Sequence, residues 1–186
     1  MVAVMADPAD IQRLLGDLAR EGTVVSVDLK AGTARVRFED LVTGDIPWLA
    51  ARMGKTRMRS PPSEGEQVLV IAPEADTGRG IIIGSLSSSA HPHPADDGST
   101  VIEFEDGARL SYVPATTALT VALPAGATLD VTAETMTLRG TVHVQGDLLV
   151  DQKITAQGDV VGAGKSLKDH VHDKVQPGQG VTGKPL

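Results

Sequence analysis

The segment between residues 116 and 166 carries the pattern that most restricts the fold: short β segments with apolar residues at alternate positions and glycines in between. The apolar positions are Leu119, Val121, Leu123, Leu129, Val131, Ala133, Val142, Val144, Leu148, Val150, Ile154 and Ala156. The intervening side chains are mostly Thr, Asp, Gln and Lys, so each segment has one apolar and one polar face. Such a strip cannot bury its apolar face alone, and little sequence remains for a second sheet. We therefore expect three identical chains to wrap into a narrow triangular prism.

The available residue types favour a narrow interior. Aromatic residues make up 2% of the chain and the last one is Tyr112, so Val, Leu, Ile and Ala must fill any core beyond it. The chain has no cysteine, which excludes disulfides and thiolate metal ligands. Stability outside a cell must then come from topology, oligomerisation or another kind of metal site.

The first 20 residues predict a short amphipathic helix. Asp7 is suited to cap it, Pro8 fits the first helical position and Gly22 is a natural terminator. An apolar stripe at helical spacing is formed by Ile11, Leu14, Leu15 and Leu18. This stripe either packs on its own domain or docks on a partner or on other copies of the chain.

The rest of the chain divides by composition into four parts. Residues 21–87 contain about five β-rich runs between turn-forming residues, a pattern typical of an OB-fold barrel. Residues 88–97 are a polar, proline-containing linker. Residues 98–166 are the predicted triple-stranded β-helix, and residues 167–186 are a Gly- and Pro-rich tail. The predicted fold is therefore all-β with a short N-terminal helix.

A hairpin opens the predicted spike. Its apolar residues alternate along both arms, at Ile102, Phe104, Leu110 and Tyr112. Asp106 and Gly107 lie between the arms, and this dipeptide favours a two-residue hairpin turn.

The tail contains His170 and His172, which are the candidate metal ligands. In an extended chain two residues separated by one point to the same face. One pair is too few for a closed site, whereas three copies around a threefold axis supply enough imidazoles for octahedral coordination. Imidazole suits iron, zinc, copper or nickel, so the ligands alone do not select the metal. The alternative is two surface histidines in a polar tail.

Other histidines give weaker signals. His91 and His93 have the same spacing, but they lie between prolines in the linker and are expected to be exposed there. His143, between Val142 and Val144, is expected to face outward if those valines face inward.

Several functional classes are disfavoured by the sequence. A net charge of -7 argues against a nucleic-acid partner, because the phosphate backbone needs a basic face. No nucleophile elbow, phosphate-binding glycine loop or persuasive carboxylate pair is present, so we expect no enzyme activity and no small-molecule substrate. No apolar run reaches the roughly 20 residues of a membrane span, and the N-terminus lacks signal-peptide features. We expect synthesis in the cytoplasm.

The order of these parts resembles the baseplate assembly protein V family, the central spike of contractile-tailed phages. Residues 21–86 carry the resemblance best, through the motifs WLxxRxG and PxxGEQVLV. The hairpin IEFEDGARLSY is similar to the start of the family's spike, and HVH followed by TGKPL resembles its apex.

The resemblance implies a homotrimer with an OB-fold domain held on the baseplate hub, an intertwined β-helix and a sharp apex. It also implies one iron ion per trimer, bound by His170 and His172 of each chain, with zinc or nickel as substitutes during expression. The implied protein belongs to the virion tail and meets the host outer membrane transiently. Two other functions stay open: an OB-fold nucleic-acid-binding module, and a receptor-binding or glycan-degrading tail spike.

Overall fold

The computed structural model describes residues 7–171 and residue 178. It divides into two compact units, Met1–Leu129 and Asp130–Leu186. The elements are α1 (Pro8–Leu18), β1 (Ala19–Asp28), β2 (Thr33–Phe38), β3 (Leu41–Val42), β4 (Ile46–Pro47), β5 (Gln67–Ile71), β6 (Ile81–Leu86), β7 (Thr100–Glu103), β8 (Arg109–Val113), β9 (Ala118–Ala122), β10 (Val161–Gly162) and β11 (Lys165–Ser166). Two short 3-10 turns lie between β5 and β6. None of the helices in this described part has the length and hydrophobicity of a bilayer-spanning segment.

Helix α1 begins as predicted but ends earlier. The Asp7 carboxylate accepts a hydrogen bond of 3.0 Å from the Ala9 N–H, which caps the helix start ahead of Pro8. The prediction that Gly22 ends the helix is wrong, because Ala19 is already extended and opens β1.

Gly22 has a different role, inside strand β1. A Cβ atom at this position would lie 2.5 Å from Val36 Cγ1 and 2.7 Å from the Arg37 carbonyl oxygen. The glycine therefore lets β1 and β2 approach closely, which is a common reason for glycine within a strand.

The strands of the first unit form an antiparallel barrel. They are arranged in the order β3-β2-β1-β5-β6, and β4 pairs with β2. Immediately after β4, Trp48 forms a parallel bridge with Ile82 of β6, and the Leu49 N–H donates to the Ile82 carbonyl at 2.7 Å. The chain after β4 thus connects β2 on one side of the sheet with β6 on the other. The sheet is therefore closed in part, as in a small OB-type barrel.

Alternating residues of the barrel strands form its core. The buried cluster consists of Val24, Ala34, Val36, Phe38, Ile46, Val68, Val70 and Ile82. Thr43 is a buried polar residue of this unit, and its hydroxyl accepts from the Val36 N–H at 3.0 Å and donates to the Gly44 carbonyl at 2.7 Å. The barrel therefore has an apolar interior whose buried Thr43 hydroxyl is hydrogen-bonded.

Strands β7, β8 and β9 form a separate three-stranded antiparallel meander. The Phe104 N–H donates to the Ala108 carbonyl and the Gly107 N–H to the Phe104 carbonyl, both at 2.9 Å. The loop therefore has three residues, Glu105 to Gly107, and the predicted two-residue turn is wrong. Gly107 has a φ of 85°, the left-handed conformation that closes this loop type.

Residues 123–160, all of them described, form no strand within the single chain. Every large apolar side chain in this range is exposed, from Val150 at 41% to Leu149 at 87%. No strand among the described residues of one copy pairs with these segments, so the intertwined β-helix stays a prediction.

Candidate functional site

One face of the meander is an uncovered apolar surface. Ile102 pairs with Leu110, and Leu110 pairs with Val121, so these three side chains lie in a row on one face. Tyr112 and Leu119 form the next row on the same face. Their exposed fractions range from 39% for Leu110 to 69% for Leu119. We call these five residues the meander face.

Exposure of this kind continues along the chain. Beyond the meander face, the exposed large apolar side chains include Leu129, Val131, Leu138, Val142, Leu148, Ile154 and Val161. Soluble monomers rarely expose this many large apolar side chains. Exposure of this kind is typical of surfaces that bind a partner.

A small hairpin directly precedes the segment that contains His170. Strands β10 and β11 are joined by Ala163 and Gly164, which have φ values of 47° and 76°. Positive φ at both central residues defines a tight I′ hairpin turn. The Leu167 N–H extends the ladder by donating to the Val160 carbonyl at 2.9 Å.

Asp159 and Ser166 fix the chain that follows this hairpin. The Asp159 carboxylate accepts from the N–H groups of Val160 at 2.8 Å and Lys168 at 3.2 Å. The Ser166 hydroxyl accepts from the Asp169 N–H at 2.8 Å. A hydrogen bond from the Ser166 side chain, helped by these backbone donors, lowers the pKa of Asp159 below its usual value of 3.8. The chain is thus anchored immediately before His170.

His170 is placed in a way that suits a metal ligand. Its Nδ1 lies 3.2 Å from the Leu167 carbonyl oxygen. A carbonyl oxygen can only accept, so Nδ1 is the donor in this contact. Metal-binding imidazoles usually have one nitrogen fixed by a carbonyl or carboxylate in this manner.

The second predicted ligand, His172, lies outside the described residues. Within residues 7–171 and at residue 178, no group of three or more His, Cys, Asp or Glu side chains could hold a metal ion. His170 would need ligands from His172 and from other copies of the chain.

The linker histidines belong to an ordered turn. The Ser88 N–H donates to the His91 carbonyl at 3.0 Å, and the His91 N–H donates to the Ser88 hydroxyl at 3.1 Å. His91 lines a cleft, whereas His93 lies at the surface beyond it. His143 is exposed in the single chain, so the direction it would face in an assembly stays a prediction.

The aromatic side chains of the barrel offer no stacking platform. Phe38 is 3% exposed and belongs to the core, with the Arg20 guanidinium 5.2 Å from its ring centroid. Trp48 packs against the same core. Sequence-independent binding of single strands relies on exposed aromatic faces, so this geometry gives no support to the nucleic-acid alternative.

Two surfaces that the sequence did not reveal lie on the first unit. One is a cleft of about 780 Å³ where folding brings together the exposed carboxylates of Glu64, Glu103 and Glu105. The other is a basic hairpin over residues 49–59. The absence of acidic residues between Asp45 and Glu64 could have indicated the hairpin, but no local pattern announces the cleft.

Comparison with known proteins supports the OB-type architecture of the barrel. Residues 20–86 match the family model of the Type VI secretion system/phage-baseplate injector OB domain. The barrel described above is therefore similar to injector OB domains, and the resemblance to the phage baseplate assembly protein V family is confirmed.

The similarity to a curated protein extends beyond the barrel. The chain is 28% identical to the spike protein of Escherichia phage P2, over an alignment that covers 98% of this chain and 99% of the relative. This similarity supports a role in the spike and baseplate of a phage tail, and hence a location in the virion tail.

Proposed function

We propose that the chain is the central spike of a contractile tail, which works as a homotrimer and pierces the host outer membrane when the sheath contracts. The observation that carries this proposal is the uncovered meander face and the exposed apolar residues that follow it. In a trimer these side chains would face one another around a common axis. The similarity to a phage spike protein over nearly the whole chain supports the same assembly.

The proposed work is mechanical. Contraction supplies the force, and a narrow tip concentrates that force on a small area of the envelope. Interwound chains resist buckling because their backbone groups pair between copies, as in other closed β architectures. The barrel, with its own core, would stay on the hub and baseplate proteins while the C-terminal part advances.

Solution mass tests the trimer. Light scattering on the purified chain should give about three times its mass of 19.3 kDa. The apolar surface would be buried only in that state. A folded monomer at micromolar concentration would remove the basis of the proposal.

The proposed apex holds one iron ion per trimer between His170 and His172 of all three chains. The contact from His170 Nδ1 to the Leu167 carbonyl supports it, since metal-binding imidazoles usually have one ring nitrogen fixed by such an acceptor. A bound metal ion would hold together three C-terminal tails that contain few apolar residues of their own. Structural metal sites of this kind contribute on the order of 10 kcal/mol to folding.

Elemental analysis tests the apex. The trimer should carry one metal ion, and the double variant His170→Ala/His172→Ala should carry none while its mass stays trimeric. His91→Ala/His93→Ala is the matched control, with the same spacing in the linker and an expected unchanged metal content. Equal metal in wild type and the His170/His172 variant would exclude this site.

A further inference from the structure

A basic hairpin projects from the barrel directly after Trp48. Met53 and Arg57 form an antiparallel bridge, and the Met58 N–H donates to the Arg52 carbonyl at 3.0 Å. The Gly54 N–H donates to the Thr56 carbonyl at 3.1 Å and closes the tip. Residues 49–59 are therefore a folded element, which we call the basic hairpin.

The basic hairpin combines positive charge with exposed apolar side chains. Its cations are Arg52, Lys55, Arg57 and Arg59. Because the whole chain carries -7, the other residues together carry -11. Its exposed apolar side chains are Leu49 at 66%, Met53 at 69% and Met58 at 56%. Methionine is common on surfaces that bind partners, because its long thioether adapts to irregular gaps.

The cations near the tip of the hairpin have no ion-pair partner within residues 7–171. Arg52, Lys55 and Arg57 make no ion pair with any residue of the described part. Arg59, at the base, donates from Nη2 to the Leu29 carbonyl at 2.7 Å and so fixes the hairpin to the barrel. A fixed, unpaired cluster of like charges beside apolar side chains is suited to an acidic partner surface.

A surface of that chemistry lies on the same chain beside the base of the hairpin, because Leu29, whose carbonyl accepts from Arg59, also lines it. The cleft lined by Glu64, Glu103 and Glu105 also contains the exposed side chains of Leu29 and Phe104, which are 58% and 57% accessible. Glu103 pairs with Arg109 at 3.7 Å, whereas Glu64 and Glu105 make no ion pair within the described residues. We call this surface the acidic cleft.

We infer that the basic hairpin of one copy docks in the acidic cleft of the next copy around the trimer. A closed ring with cyclic symmetry joins unlike surfaces at each contact, so one chain must carry both complementary surfaces. The charges of hairpin and cleft are opposite, and each surface adds exposed apolar side chains. This inference rests on the proposed trimer and adds to it a contact between barrel units.

Engineered cysteines test the contact directly, because the chain has no cysteine of its own. Lys55→Cys and Glu105→Cys are placed in separate full-length chains with tags of different size, co-expressed and mildly oxidised. A disulfide-linked species containing both tags is the expected result. Lys55→Cys with Asp40→Cys is the matched control, since Asp40 is an exposed acid of the barrel outside the cleft, and no mixed species is expected from it.

Charge reversal separates a specific contact from chance collision. Arg52→Glu/Arg57→Glu, combined with the cysteine pair, should lower the cross-linked yield several-fold. Adding Glu64→Lys in the chain that carries Glu105→Cys should restore part of that yield.

The outcomes distinguish this inference from the proposed assembly. A trimer by light scattering without the Lys55–Glu105 link overturns the hairpin contact and leaves the trimer intact. A link from Lys55→Cys to an added baseplate protein instead of to a second copy also overturns it. A monomeric mass would overturn both the proposed trimer and the hairpin contact.

Discussion

The barrel and the C-terminal segments contain the same types of aliphatic residue, but these residues are buried in the barrel and exposed in the C-terminal segments. In the barrel, Val24, Val36, Ile46 and Val68 are at most 1% exposed within a single chain. In residues 123–160 the same residue types are exposed throughout. The difference is one of connectivity, because the barrel strands pair with each other, whereas residues 123–160 pair with no strand among the described residues. We therefore expect the barrel to be stable as a single chain and residues 123–160 to need an assembly.

The largest effect on assembly is expected from introducing charges into the meander face. Leu110→Asp/Val121→Asp would place two carboxylates per chain in the proposed common interior, at a cost of several kcal/mol for each unpaired charge. We expect the light-scattering mass to fall from three chains to one, while the β-sheet circular dichroism of the barrel persists.

Thr120→Asp provides the matched control for that variant. Thr120 lies in the same strand and is exposed on the opposite face. It should therefore leave the mass unchanged. If the Leu110/Val121 variant remained a trimer of unchanged stability, the meander face would not be an assembly surface.

A smaller effect is expected from adding a side-chain atom at the point where β1 and β2 approach closely. Gly22→Ala would bring a Cβ within 2.7 Å of the Arg37 carbonyl oxygen, and backbone cannot move away cheaply. Overpacking of this kind costs roughly 1–3 kcal/mol. Denaturant unfolding should show that loss for the barrel, with no change in solution mass.

Gly44→Ala serves as its control, because a Cβ at Gly44 would meet nothing within 4 Å. Its stability should stay within about 0.5 kcal/mol of wild type. Equal stability of the two alanine variants would contradict the packing described between β1 and β2.

The smallest expected effect is a pH dependence of the hairpin before His170. The pKa of Asp159 is lowered in the folded chain by the hydrogen bond from Ser166. The stabilisation is therefore present above the unfolded pKa of about 3.9 and is lost as the pH falls through the lower, folded pKa. Amide exchange of residues 160–169 should accelerate in this acidic range.

Asp159→Asn removes the titrating group from the hairpin. Its amide exchange in the same residues should already be faster at neutral pH and should change little on acidification. A variant that kept the wild-type acid response would assign that response to another group.

Much of the local structure followed from the sequence. The alternation of aliphatic and polar residues located the main barrel strands, because successive side chains of a strand point to opposite faces. Asp7 with Pro8 located the start of α1, because the cap is a hydrogen bond between near neighbours. The paired spacing of His170 and His172 likewise predicts a shared face from local geometry alone.

Features that depend on distant parts of the chain were decided by the tertiary structure. Gly22 is suited to ending a helix, but the packing of β1 against Val36 gives it a place inside a strand. The closure of the barrel through Trp48 and Ile82, and the meeting of Glu64 with Glu105 in one cleft, join residues that no local pattern relates. Such contacts are set by how whole strands pack, since the free energy of burial depends on the complete core and not on any single segment.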